Sequence, residues 1–154
     1  MVLVSVANVG EDGMANALYT ARAHITGGRD HGHGRTADGG LEVDLRQPKE
    51  LGGNGDGVNP EQLFAIGYAA CFASSIALVA RRRRLPADDV AIDSAVMLVP
   101  GGDGLALAAE LTISLPSITE EAADLVREAH HVCPYSNATR GNIDVTLVVN
   151  GTRL

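Results

Sequence analysis

Cys71 and Cys133 are the two thiols of a 154-residue chain, far apart in sequence. Cys71 lies inside a long apolar run, where a lone cysteine most simply serves as a small buried hydrophobe. Cys133 directly precedes Pro134, where a helix must stop. No CxxC motif joins them, so thioredoxin-like exchange has no signature here. The two could pair as a redox couple, bind a metal with histidine help, or do neither. A reactive Cys71 would need a cation beside it, because apolar surroundings hold a thiol pKa at or above about 8.5. Arg29, in Gly27-Gly28-Arg29-Asp30, sits on a permissive backbone that can turn its side chain inward. Arg81 to Arg84 lie one to three turns beyond Cys71 and suit the solvated end of a helix. Glu61 is either a favourable first-turn charge or the bidentate partner that orients an arginine. Ten residues, about 15 Å of straight helix, separate Glu61 from Cys71. An arginine touching both therefore needs a break near Gly67 or a Glu61 from a second subunit.

The elements that would carry these residues can be read from period and punctuation. Residues 17–25 alternate as a half-buried strand, and Leu41, Val43 and Leu45 alternate with Glu42, Asp44 and Arg46 as a second. The glycine-rich stretch 27–40 reads as a loop or a wide hairpin connection and 48–58 as another loop, and the early strands as antiparallel. Asn59, Pro60 and Gln62 form a capping-box-like start for a helix reaching about Arg84, with a bend near Gly67 and Pro86 as its limit. Its many small residues suit a helix packed on most faces. Strands over 90–99 and 105–115 form a hairpin around a loop of four or five residues at 100–104. A second helix opens at Ser117, with Glu120 completing a capping box, and ends near His131 or Val132. A last strand covers 143–149. The pattern predicts an α+β fold in one domain, 1–154.

Composition narrows the function classes. There are 12 Lys+Arg against 19 Asp+Glu, a formal charge of -7, 18 glycines and no Trp. Two cysteines are too few for a disulfide-stapled scaffold. The apolar amino end carries no basic segment of the kind a secretory signal needs, so a cytoplasmic location is expected and the sequons at Asn137 and Asn150 carry little weight. The uncharged stretch 63–80 is long enough for a short membrane span, but its small residues favour a buried helix. A nucleic-acid surface built on Arg81–Arg84 lacks a positive field and aromatic platforms. A zinc site from His130, His131 and Cys133, with His31 and His33, is chemically thinkable but lacks metal-ligand spacing. His31 and His33 read as solvated loop residues, and His130 and His131 as helix-end residues suiting the dipole. Leu63, Phe64, Ile66 and Phe72 could wall an apolar pocket, with core packing the simpler role.

Asn59-Pro60-Glu61-Gln62-Leu63-Phe64 followed by Gly67-Tyr68-Ala69-Ala70-Cys71-Phe72 resembles the central motif of the organic hydroperoxide resistance proteins, within the wider Ohr and OsmC peroxidases. Leu18-Tyr19-Thr20-Ala21, Gly27-Gly28-Arg29-Asp30 and Leu51-Gly52-Gly53 resemble the amino-terminal half of that family. His130 to Ala138 and Arg140-Gly141-Asn142-Ile143 resemble its second cysteine motif, closer to the Ohr branch. The likeness spans about Leu18 to Val149. It implies an OsmC-like fold with antiparallel strands around two principal helices in an interwoven homodimer. It also implies an enzyme that reduces organic, including fatty-acid, hydroperoxides to alcohols without metal, haem or flavin. Cys71 matches the peroxidatic cysteine and Cys133 the resolving one, so a Cys71–Cys133 disulfide is implied. Arg29 matches the arginine that supports the thiolate, and Glu61 the acid that pairs with it. The implied reductant is dihydrolipoamide or a lipoylated protein. The His31-Gly32-His33 stretch and the dense Arg81–Arg84 run depart from the pattern.

Overall fold

The structure is a computed structural model that describes residues 17–154; the amino end read above for targeting signals lies outside them. The chain divides into two compact units, one ending at Gly57 and the other running Val58–Leu154.

In the first unit three short antiparallel strands form a sheet in chain order: β1 (Ala23–Thr26), β2 (Gly32–Thr36) and β3 (Glu42–Leu45). The predicted first strand is confined to its last residues. The stretch 27–40 is more than the loop or wide hairpin connection expected: it holds a helical turn, α1 (Gly28–His31), and all of β2. Glycine is what allows this strand to form. A Cβ on Gly32 would overlap the Gly28 carbonyl, and one on Gly34 would lie 3.0 Å from the Ile25 Cδ1. The turn signal came from residues needed for close approach within a sheet. A single 3₁₀ turn (Lys49–Leu51) follows.

The second unit is built on α2 (Pro60–Arg83), whose start follows its sequence signals. Gln62 N–H donates to the Asn59 side-chain oxygen and Asn59 N–H to the Gln62 side-chain oxygen, both at 2.9 Å, closing the capping box. The helix ends as Arg84 turns left-handed at φ 59°, two residues before Pro86. It runs continuously through Gly67, without a break there. One face, Tyr68, Phe72, Ser75, Ile76, Val79 and Ala80, is buried, each large apolar side chain stabilising the fold by about 1.5–3 kcal/mol. The opposite face is open, with Ile66 70% and Leu78 36% exposed. Among the described residues of this unit the helix packs on one side, where its small residues suggested most faces. By length and composition it could cross a membrane, but it packs here as the central helix of a mixed α/β layer.

The second sheet has the order β4 (Ala91–Gly101), β5 (Gly104–Ser114), β6 (Asp144–Val149), β7 (Thr152–Arg153). The β4–β5 hairpin is tighter than predicted. Its ladder continues to Gly101 opposite Gly104, leaving two residues in the turn, with Gly102 at φ 43°. β6 lies parallel to β5, the one parallel pairing in this sheet. That geometry requires a long crossover, supplied by α3 (Ala122–Val132) and α4 (Pro134–Thr139). The α3 start is later than predicted because Ser117 does not cap it: the Ser117 hydroxyl donates to Asp89 at 2.6 Å. Tyr68, Phe72, Ile76 and Val79 meet Leu111, Ile113, Leu125, Val126, Ala129 and Val149 in one core.

Candidate active site

Cys71 lies at mid-height on α2, and Cys133 occupies the joint between α3 and α4. Cys133 ends one helix because Pro134 disfavours helical backbone before it; its own ψ is 122°. Pro134 then fits the first position of the next helix, where no N–H is needed. The packing of α3 on α2 brings the two thiols together. The Cys133 S–H donates to the Cys71 sulfur across 3.6 Å, with Cys133 fully buried and Cys71 half-buried.

Their surroundings differ. Burial pushes the Cys71 thiol up, the Tyr135 backbone N–H partly offsets this, and the hydrogen bond and charge of Cys133 raise it further. Burial also acts to raise Cys133, but the backbone N–H and hydroxyl of Ser136, with Cys71 and Ser75, outweigh it and hold that thiol below its ordinary value. Within this unit the shared charge therefore favours Cys133. Two thiolates at this separation would repel, so activating Cys71 needs a further cation.

The other two predicted residues are held by identifiable local structure. Arg29 sits half-buried on α1. That turn is set by Gly27 at φ 73° and Gly28 at φ 63°, and a Cβ at Gly27 would come within 2.5 Å of the His31 carbonyl oxygen. Only glycine adopts this backbone at low cost. Glu61 is in the first turn of α2, beside the positive end of the helix dipole. Because α2 is continuous, Glu61 and Cys71 are about 15 Å apart along its axis. The fold thus brings Cys71 to Cys133, while Glu61 and Cys71 stand at separate levels of one helix and Arg29 belongs to the other unit.

The sequence reading missed a buried polar network beside Cys133. Ser136, fully buried, has its hydroxyl 3.0 Å from the Tyr68 hydroxyl and 2.8 Å from His130 Nδ1. The Tyr68 hydroxyl also lies 3.2 Å from that of Thr139, and Thr139 donates to the Ser136 carbonyl at 3.2 Å. His130 lies in the last turn of α3, as expected of a helix-end residue, and it is also part of this network. Its ring packs on Phe72, and burial, followed by the charges of Arg140 and His131, lowers its pKa. The three-residue spacing of His130, Cys133 and Ser136 was the available signal, obscured by Pro134 between them. His33, read as a solvated loop residue, is on β2 with its ring nitrogens 3.0 Å from Asp44 and from Glu42.

Of the candidate pocket residues, Phe72 is fully buried and Ile66 is exposed. Phe64 stacks edge-on with Tyr68, ring centroids 5.9 Å apart, and tilts against Tyr135 at 6.0 Å. Gly67 lets the Tyr135 ring approach: a Cβ there would lie 3.2 Å from its hydroxyl. In the first unit a cavity of about 410 Å³ is lined by residues including Arg22, His24, Arg35 and Glu42; none of the four predicted site residues lines it.

The family model for OsmC-like proteins matches residues 53–148. The chain belongs to the OsmC-like family. Its similarity is strong along the organic hydroperoxide resistance branch. An organic hydroperoxide resistance protein of Xanthomonas axonopodis pv. citri is 52% identical over 137 residues, covering 86% of this chain and 94% of that protein. The crystal structure of an organic hydroperoxide resistance protein from Legionella pneumophila is 50% identical with a TM-score of 0.82, covering 86% of this chain and 98% of that one. OhrB of Bacillus subtilis is 40% identical with a TM-score of 0.78, covering 86% and 99%. Fold and family thus agree with the α+β, OsmC-like expectation.

Proposed function

We propose that this OsmC-like chain is a cysteine-based peroxidase that reduces organic hydroperoxides, fatty-acid hydroperoxides among them, to alcohols. The observation that carries the reading is the Cys71–Cys133 pair, 3.6 Å apart, in a chain whose relatives are named for organic hydroperoxide resistance. The Cys71 thiolate attacks the distal oxygen of ROOH. The O–O bond breaks, the alkoxide takes a proton and leaves as alcohol, and Cys71 becomes a sulfenic acid. Cys133 then attacks the Cys71 sulfur, forming the disulfide and releasing water. A dihydrolipoyl dithiol, free or on a lipoylated protein, reduces that disulfide by exchange.

Arg29 has a defined task in this scheme. The donors around Cys133 draw charge away from Cys71, and a guanidinium beside Cys71 reverses that preference. The Cys133 S–H then supports the Cys71 thiolate as a hydrogen-bond donor across the 3.6 Å contact. Because α2 is unbroken at Gly67, Glu61 of a second subunit holds and tunes Arg29 by a bidentate pair. The two units act as one domain in a cytoplasmic homodimer, and the open apolar face of α2 around Ile66 and Leu78 supports a second copy as its cover.

The test offers purified protein tert-butyl hydroperoxide or hydrogen peroxide with dihydrolipoamide, while intact mass follows the loss of two hydrogens. The expected result is preference for the organic peroxide, no turnover in Cys71→Ser, and poor turnover with an oxidisable Cys71 in Cys133→Ser. Undiminished activity in Cys71→Ser sinks the proposal. Unchanged kinetics in Arg29→Ala removes Arg29 from it.

A further inference from the structure

We propose that Ser136 and His130 form a proton relay for Cys133, carrying away its thiol proton as it attacks the oxidised Cys71. The inference rests on Cys71 and Cys133 acting as the peroxidatic and resolving thiols.

While Cys71 is a thiolate, Cys133 keeps its proton and donates to it. Once Cys71 becomes a neutral sulfenic acid that arrangement ends, and Cys133 must lose its proton to become a nucleophile. Cys133 is fully buried, so bulk water is a poor acceptor. Ser136 is the polar side chain next along: its hydroxyl and amide face the Cys133 sulfur, and the same hydroxyl touches His130 Nδ1 at 2.8 Å. A hydroxyl has one proton to give and can accept two. Before transfer, Ser136 donates to Nδ1 and accepts from Cys133. Afterwards, Nδ1–H donates to Ser136, which holds the former cysteine proton and donates it back to the sulfur. Both arrangements use the same heavy-atom positions.

Tyr68 and Thr139 keep Ser136 in place for this exchange. The Thr139 hydroxyl donates to the Ser136 carbonyl and lies 3.2 Å from the Tyr68 hydroxyl. The Tyr68 hydroxyl donates to Ser136 at 3.0 Å, filling one of its two acceptor sites and leaving the other to Cys133 or to Nδ1–H. His130 is fixed from the other side by Phe72 and by Arg140, which donates to the His130 carbonyl at 2.6 Å. The titratable or charged groups facing this chain of atoms are Cys71 and Tyr68 on α2, His131 on α3 and Arg140 after α4. Burial, then the charges of Arg140 and His131, lowers the His130 pKa and so favours the neutral ring that can accept a proton.

Atoms balance across the step. The Cys133 sulfur bonds to the Cys71 sulfur and the S–O bond breaks. The leaving hydroxide is protonated to water, and His130 returns its proton to solvent. The sum is a sulfenic acid and a thiol giving a disulfide and water. Ser136 touches a reacting atom; His130 acts through it as a positioning and proton-holding residue.

The test mixes reduced full-length protein with one equivalent of tert-butyl hydroperoxide and follows intact mass by rapid quench. Gain of one oxygen, trapped with dimedone, reports the sulfenic acid; loss of two hydrogens reports closure. His130→Gln should slow closure relative to sulfenic-acid formation by about ten-fold near pH 6. The deficit should shrink toward about pH 9, where a thiol ionises unaided. Ser136→Ala, the second variant, should show the same pH-dependent deficit. Wild-type closure rates near pH 6 in both variants overturn the relay. A deficit of equal size at every pH also overturns it, because a packing defect has no reason to follow thiol ionisation. A wild-type protein that never gains oxygen at Cys71 overturns both this inference and the function beneath it, and is told apart by the missing first phase.

Discussion

Oxidising the proposed pair should stabilise the chain by an amount that the structure lets us work out. The bond would close a loop between positions 62 apart, and the chain-entropy relation for a loop of that size gives about 4 kcal/mol. Geometry subtracts from this. The sulfurs must come from 3.6 Å to about 2.05 Å. Cys133 can supply most of that movement, since it lies at a helix joint with extended backbone. A side chain displaced from its preferred rotamer costs roughly 1 kcal/mol. The net gain is then about 3 kcal/mol, which for a chain of this length raises Tm by roughly 6–12 °C. The assay compares thermal unfolding of reduced and peroxide-treated protein at equal concentration, with Cys133→Ser as the control expected to show no rise. An oxidised wild type that melts no higher than the reduced form would refute the reasoning. So would an equal rise in Cys133→Ser.

Other consequences are local. Gly27→Ala should cost about 1–3 kcal/mol in urea unfolding, because its φ is 73° and the new Cβ would sit 2.5 Å from the His31 carbonyl oxygen; peroxidase activity should fall with it as the Arg29 turn is displaced. Gly39→Ala, at φ 75° with open space around the Cβ, should cost only the backbone strain of about 1 kcal/mol. Asn150→Ala should destabilise by about 2–3 kcal/mol, since its amide bridges Leu115 N–H and the carbonyls of Leu115 and Ile118 at 2.8, 3.1 and 2.9 Å. Burial, then Arg140 and His131, lowers the His130 pKa, so below about pH 6.5 the unfolded chain binds the extra proton more readily. Stability should therefore fall as pH drops through that value, with a shallower fall in His130→Gln by urea titration.

Signals that act locally were legible in the sequence. Asn59, Pro60 and Gln62 wrote the start of α2 because a capping box is made from four neighbouring residues. Pro134 ended α3 for the same reason. Signals that require a distant partner misled. Gly32 and Gly34 read as loop residues, yet they are glycine because Gly28, Leu45 and Ile25 crowd their positions, and those neighbours meet only once the strands pair. Ser117 read as a cap until Asp89 took its hydroxyl. The parallel β5–β6 pairing left no mark of its own, since its long crossover looked like any helix between two strands. Motif resemblance proposed four site residues, of which the structure brings Cys71 and Cys133 together, but nothing local to either cysteine foretold which sulfur its surroundings would favour.

That preference gives the site its logic. A single thiol in an apolar wall would need only a cation, and one arginine would serve. Two thiols in contact set a harder problem, because the donors that make Cys133 a good attacking group also draw charge from Cys71 before peroxide arrives. In the proposed cycle, one proton moving between two positions answers it. Held on Cys133 by the charge at Cys71, it makes the first sulfur the nucleophile. Released through Ser136 once that charge is spent on oxygen, it makes the second sulfur the nucleophile. On this view the order of the two chemical steps is set by which sulfur carries the charge, and the helix joint at Pro134 serves to place a hydroxyl and an imidazole three residues to either side of the thiol.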